Sequence, residues 1–142
     1  MSVGKICTRS VVMATPEESI RDAARLMSAN NVGTVVVVDG EFRPIGILTD
    51  RDIALRCVAI DKSPDEVRIG EAMTTPVRTV SEATAIEDAL GIMKRLGVRR
   101  LPVTDARSML VGLVALDDVL DLIIEEATTI GELLRKEAPA IA

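Results

Sequence analysis

Three features of this sequence predict an α+β fold built from two successive βαββα units packed as a pseudo-two-fold pair. Shifted by 66 residues, the chain lies on itself without a gap from residue 3 to about residue 59. Short β-branched runs and helical stripes follow one another in the same order on both sides of that shift. The apolar residues, 48% of the chain, are aliphatic apart from Phe42, so the core is one of Val, Ile, Leu, Ala and Met. A chain of 142 residues suits two small halves sharing that core. The predicted division is residues 1–61 for the first unit, 62–68 for a polar linker, 69–127 for the second unit and 128–142 for a tail.

The elements follow in order. Residues 3–7 form at most a short helical turn, and residues 11–14 a brief β run. The cluster Thr15-Pro16-Glu17-Glu18 starts a helix over residues 19–30, with Ile20, Ala23, Ala24, Leu26 and Met27 inward. Val32 to Val38 is nearly all β-branched, as a strand buried on both faces requires. Asp39-Gly40 marks a turn, residues 43–48 the return strand, and a helix runs from Asp50 to about Ile60. The second unit repeats this. Residues 77–80 form a strand, residues 81–96 a helix with Ile86, Ala89, Leu90 and Met93 inward, and residues 98–105 and 110–115 two more strands. A helix over residues 116–127 closes it; the tail adds one or two turns from Ile130 to Lys136 and frays at Pro139.

Composition removes several function classes. There is no His, the commonest general base and metal ligand, and Cys7 and Cys57 lack metal-type spacing. A net charge of −5 opposes a dedicated nucleic-acid binder, although Arg99-Arg100 is a local basic pair. No apolar run approaches a membrane span and no signal-type segment opens the chain, so a soluble cytoplasmic protein is expected, with no membrane partner. Cys57 and most of the methionines read as core filler.

The chemistry concentrates at Gly46-Ile47-Leu48-Thr49-Asp50-Arg51-Asp52-Ile53, a strand running straight into a helix capped by Thr49 or Asp50. Thr49 and Asp52 share one face of the first turn. A carboxylate there accepts two hydrogen bonds from a vicinal diol, and a hydroxyl donates to a phosphate oxygen. The plain alternative is an ordinary helix cap. The shift by 66 brings Gly46 onto Gly112 and Asp52 onto Asp118, and about a dozen identities, among them Thr8/Thr74, Ile20/Ile86 and Met27/Met93, accompany it.

Two tandem units each ending in Gly-x-x-[Ser/Thr]-x-x-Asp-apolar resemble a pair of cystathionine β-synthase (CBS) domains, or Bateman module. Thr75-Pro76-Val77 and Val98-Arg99-Arg100-Leu101-Pro102-Val103 add to the likeness, which covers residues 3–126. The resemblance implies a non-enzymatic regulatory module that binds an adenosyl compound (AMP, ADP, ATP, S-adenosylmethionine or an NAD-type molecule) between the repeats and signals by a change of shape. The first cleft would use Ile47, Thr49 and Asp52, with Thr74, Thr75, Pro76, Val77 and Arg78 on one wall and Val98 and Arg99 beyond. The second would use Asp118 with Val12, Val32, Gly33 and Arg100, but Ala115 stands where the family has Ser or Thr, removing one hydrogen bond of about 1 kcal/mol.

Arg99 and Arg100 either clamp phosphate or are solvated charges at a strand start, and alternation allows only one of them to face the cleft. Arg78 stands between the same two readings. Asp50, Arg51, Asp117 and Asp121 are expected to face solvent. Asp50 and Asp52 could hold Mg²⁺ with a nucleotide phosphate; no tightly bound cofactor and no resident metal site are otherwise expected. Leftover apolar faces favour an isologous homodimer and a regulated protein partner. The competing reading is a partner-docking homodimer whose clefts bind no nucleotide.

Overall fold

The computed structural model describes residues 1–137 and has two three-stranded sheets, one per repeat. In the first repeat a 3₁₀ turn, Val3–Lys5, precedes β1 (Met13–Ala14), α1 (Ile20–Asn30), β2 (Thr34–Val38), β3 (Pro44–Thr49) and α2 (Asp50–Ile53). The second repeat has α3 (Ile69–Ala72), β4 (Val80–Ser81), α4 (Ile86–Leu96), β5 (Arg100–Thr104), β6 (Leu110–Ala115) and α5 (Leu116–Glu137). In each sheet the first strand pairs parallel with the second and the second antiparallel with the third. The expected α+β pair is what the chain forms.

Several boundaries differ from the sequence expectation. Helix α1 is capped by Ser19, whose Oγ accepts the Asp22 N–H while Asp22 accepts the Ser19 N–H, and the acidic cluster before it forms a separate turn closed by Glu18 on Thr15. Ala24 is exposed; Ile20, Ala23 and Met27 are buried, and Leu26 packs half-buried against the same core. Helix α2 widens into a π turn over Ala54–Val58, where Ala59 N–H reaches Ala54 O, and stops short of Ile60. Residues 82–85 connect β4 to α4 rather than starting the helix, and Ile92 joins its buried face. Val32 is exposed, because β2 begins only at Thr34. The largest difference is α5, which runs unbroken through the expected end at residue 127 to Glu137. The fraying at Pro139 lies outside the described residues.

The cores are exchanged at their edges. Val3 is fully buried in the second repeat's core, with Leu101, Val103 and Val114. Ile69 and Ala72 complete the first repeat's core, beside Ile20, Val35, Val37 and Leu48. Backbone pairs fasten both crossings. Ile47 and Thr74 exchange hydrogen bonds of 3.1 and 2.8 Å; Thr8 and Leu113 exchange two of 2.9 Å. Glycine permits these close approaches. A Cβ on Gly4 would come 2.9 Å from the Glu82 carbonyl oxygen, and one on Gly112 would come 2.7 Å from Cys7 Sγ. Cys7 is half-buried there, and burial pushes its thiol pKa up; Cys57 is in the core.

Two predictions follow from these contacts. Gly4→Ala should cost about 1–3 kcal/mol in urea unfolding, because the atom it meets is backbone. Gly40→Ala, with open space around it, should be neutral or slightly stabilising. Separately, three carboxyls are held below the ordinary range: Asp22 by the Ser19 N–H, Asp39 by the Arg43 and Glu41 N–H groups, and Asp65 by Arg21. A depressed folded-state pKa contributes stability above the unfolded value, and that stability is lost as pH falls through the folded value. The urea midpoint should therefore drop as pH falls below about 4, and Asp22→Asn should flatten that drop while lowering stability at neutral pH.

Candidate functional site

Where β3 passes into α2, extended backbone at Thr49 turns into helix, and the two side chains of the motif close that turn. Thr49 Oγ1 accepts the Asp52 N–H at 3.2 Å, and Asp52 Oδ2 accepts the Thr49 N–H at 2.9 Å. Capping and site readings thus coincide: the mutual bonds hold both groups still, leaving the Thr49 hydroxyl proton and Asp52 Oδ1 for other partners. Arg56, one turn on, reaches three groups. Its guanidinium lies 3.6 Å from Asp52 Oδ1 and donates to Ala72 O at 2.8 Å and to Thr74 Oγ1 at 3.2 Å.

A cavity of about 530 Å³ opens beside this turn, between the two repeats. Of the ten residues expected in the first cleft, Ile47, Thr49, Asp52, Thr74, Pro76, Val77, Arg78, Val98 and Arg99 line it. Thr75 does not; its hydroxyl donates to Ile45 O at 2.8 Å and serves the fold. A second hollow of about 330 Å³ shares Pro76, Val77, Arg78 and Leu96 with the first and brings Arg95 beside them.

Arg100 lines the first cavity together with Arg99, against the expectation that alternation would admit only one and against its assignment to the second cleft. The reason is local: β5 begins at Arg100, so Arg99 is still in the preceding turn and outside the strand's alternation. Arg51 also lines the cavity, where solvent exposure alone was expected. Arg99 lies 3.7 Å from Asp117 on an exposed surface, a pair of small energetic value that an anion can displace.

The second cleft is built otherwise. Asp118 Oδ2 accepts the Ala115 N–H at 2.8 Å, but no hydroxyl returns the bond. Val12 packs against the first repeat's core, and Gly33 lies under Asp50, whose Oδ2 would be 2.9 Å from an added Cβ. The 66-residue shift makes the contrast chemical. Arg51, Arg78, Arg99 and Arg100 of the first cleft become Asp117, Val12, Gly33 and Thr34. Four cations are replaced by one anion and three uncharged side chains.

Both repeats match the description "CBS domain", over residues 3–58 and 69–125. The chain belongs to the CBS domain family. It is 39% identical over 119 residues to the CBS domain-containing protein YhcV of Bacillus subtilis, a match spanning 83% of this chain and 82% of YhcV. A CBS-domain protein of Burkholderia ambifaria superposes with a TM-score of 0.80 at 30% identity, covering 88% of this chain and 95% of that one. The CBS domain pair of MJ0100, solved in complex with 5′-methylthioadenosine and S-adenosyl-L-methionine, superposes with a TM-score of 0.79 at 27% identity, covering 89% and 98%. Among the described residues no helix is long and apolar enough to cross a membrane.

Sequence reasoning missed Arg56, Leu96, Gly97, Leu101 and Thr34. For Arg56 a signal existed, since Asp52 and Arg56 stand four apart on one helix face. The other four come from the ends of α4, β2 and β5, which only the packing of the repeats brings together. Arg56 has a checkable role. Arg56→Ala should destabilise the protein by about 1 kcal/mol through the two lost hydrogen bonds and should loosen residues 72–74, read as faster amide hydrogen exchange there than in α4.

Proposed function

We propose that the cleft beside Asp52 binds an adenine nucleotide carrying phosphate groups, and that this module regulates by reporting its occupancy. The observation that carries the reading is the convergence of Arg51, Arg78, Arg99 and Arg100 on a cavity whose one carboxylate, Asp52, stands at the strand–helix turn. Asp52 Oδ1 accepts the ribose hydroxyls, the Thr49 hydroxyl donates to the ribose or first phosphate, and the arginines take the phosphate oxygens, a geometry guanidinium suits. The 5′-methylthioadenosine and S-adenosyl-L-methionine bound by the CBS domain pair of MJ0100 support the adenosyl part of this reading. The charge supports a phosphorylated ligand over S-adenosylmethionine, whose sulfonium is itself a cation. Asp50 stands outside the lining while Asp52 belongs to it, so any Mg²⁺ enters coordinated by the phosphates rather than by an Asp50–Asp52 pair.

Signalling would pass through Arg56. A ligand that draws on Asp52 competes with Arg56 for the same oxygen, and Arg56 also grips Ala72 O and Thr74, which join the repeats. Occupancy then favours one relative setting of the repeats only to the extent that the two settings differ in affinity. The output goes to a second copy of the chain or to another protein; the exposed apolar face of α5 favours such docking.

Thermal unfolding with AMP, ADP, ATP, NAD and S-adenosylmethionine tests the reading. A nucleotide at about 100 times its dissociation constant should add about 2.7 kcal/mol, a shift of several degrees. Asp52→Ala should abolish the shift, and Arg99→Ala with Arg100→Ala should weaken ATP at least tenfold; Asp118→Ala should leave binding intact. No shift with any ligand would leave the docking module without nucleotide as the standing reading.

A further inference from the structure

The hollow of about 330 Å³ beside the main cavity is lined by Pro76, Val77, Arg78, Ile92, Arg95 and Leu96. Four of these also line the cavity next to Asp52, so the two spaces adjoin along residues 76–78 and Leu96. Ile92 and Arg95 belong to the second hollow alone. Its lining is mostly apolar, with two guanidiniums beside it. Neither is spent on an ion pair: among the described residues Arg78 and Arg95 make none. Arg95 lies back over Gly91, one turn earlier, where an added Cβ would stand 3.6 Å from its Nη1. The same end of α4 offers acceptors. Gly97 and Val98 both donate to the Met93 carbonyl, which leaves the carbonyls of residues 94–96 without a partner in the helix.

The geometry points to a dinucleotide as the ligand: adenosine beside Asp52, a pyrophosphate bridge at Arg78, and a second, uncharged base in the hollow at Arg95. This rests on the adenine-nucleotide reading of the first cavity and names the ligand class that cavity takes. Arg78 is the one charged residue common to both spaces, so an anionic bridge passing from one to the other meets a guanidinium there. A terminal phosphate is the poorer occupant of the hollow. Pro76, Val77, Ile92 and Leu96 give an anion no side-chain hydrogen bond in return for its lost hydration. A flat heterocycle gains from the same surface. Its apolar faces leave water, a guanidinium stacks on it, and an amino or carboxamide N–H has the free carbonyls of the helix end as acceptors. A phosphate chain carries no N–H for those carbonyls. The two arginines oppose a cationic ring, which selects a neutral base.

Calorimetric titration of the full chain with AMP, ATP, ADP-ribose and NADH tests this. ADP-ribose and NADH are alike up to the second ribose, and only NADH carries a base there. NADH should bind at least tenfold more tightly than ADP-ribose. Arg95→Ala, at an exposed position, should shrink that preference to about threefold or less by weakening NADH. The chain has no Trp or Tyr, so emission from the dihydronicotinamide ring can be read directly. It should rise on binding, and rise less with Arg95→Ala. Equal affinity for ADP-ribose and NADH, with both bound, would overturn the dinucleotide and leave the nucleotide cleft standing. An Arg95→Ala chain that loses ATP at least tenfold but keeps its preference for NADH would also overturn it, by making the hollow a terminal-phosphate pocket. Failure of all four ligands to bind would remove the nucleotide reading itself, and the dinucleotide with it.

Discussion

Everything in this molecule depends on an exchange of arms. The turn Val3–Lys5 opens the first repeat in sequence but fills the second repeat's core, and Ile69–Ala72 does the reverse. Each sheet has only three strands, and each unit is too small to cover them unaided. The crossed apolar residues supply the missing part, so neither repeat is complete without the other. Burying Val3 and Ile69 from water contributes about 1.5–3 kcal/mol each, comparable to a sizeable fraction of a small protein's net stability. The exchange also explains where the cavity lies. The segment leaving α3 must pass along β3 to reach the second repeat, and the Ile47–Thr74 pair fixes that passage beside Thr49 and Asp52.

Duplication makes two such passages, and their fates differ. At both, one side chain plugs the same carbonyl position of the edge strand: Thr75 donates to Ile45 O, and Arg9 donates to Val111 O. The scaffold contacts are conserved between the halves in kind, while the cleft residues are not. Only one passage collects four arginines, and only there does a hydroxyl answer the motif aspartate. A scaffold that needs both passages to close its cores can afford divergence in the clefts, since none of those arginines is buried in either core.

The fold was legible because the duplicated pattern repeats turns, apolar spacing and motif together, each copy checking the other. Nine of the ten residues that the family resemblance assigned to the first cleft line the cavity, because the motif turn, the segment after Ala72 and the start of β5 meet there. Thr75 was misread because its hydroxyl and that of Thr74 look alike in sequence, and only the Ile45 carbonyl distinguishes them. Arg100 was misread because strand alternation was applied one residue before the strand begins. The helix expected over residues 116–127 and the one or two turns expected over 130–136 are one helix in the structure, where Thr128 and Thr129 donate their hydroxyls to the carbonyls of Ile124 and Glu125.

The same residues bear on how occupancy could travel. Asp52, Arg56, Ala72 and Thr74 form one connected set that includes both the cleft carboxylate and the crossing arm. The arm carries Ile69 into the opposite core, and interiors at native density do not deform smoothly, so a shift at Thr74 has to be taken up as a change in how the repeats seat on one another. Because α5 follows β6 without a break, any such reseating also changes the direction in which its exposed stripe points. The candidate cleft and the exposed face of α5 are therefore joined through rigid elements by way of the Ile69–Ala72 arm.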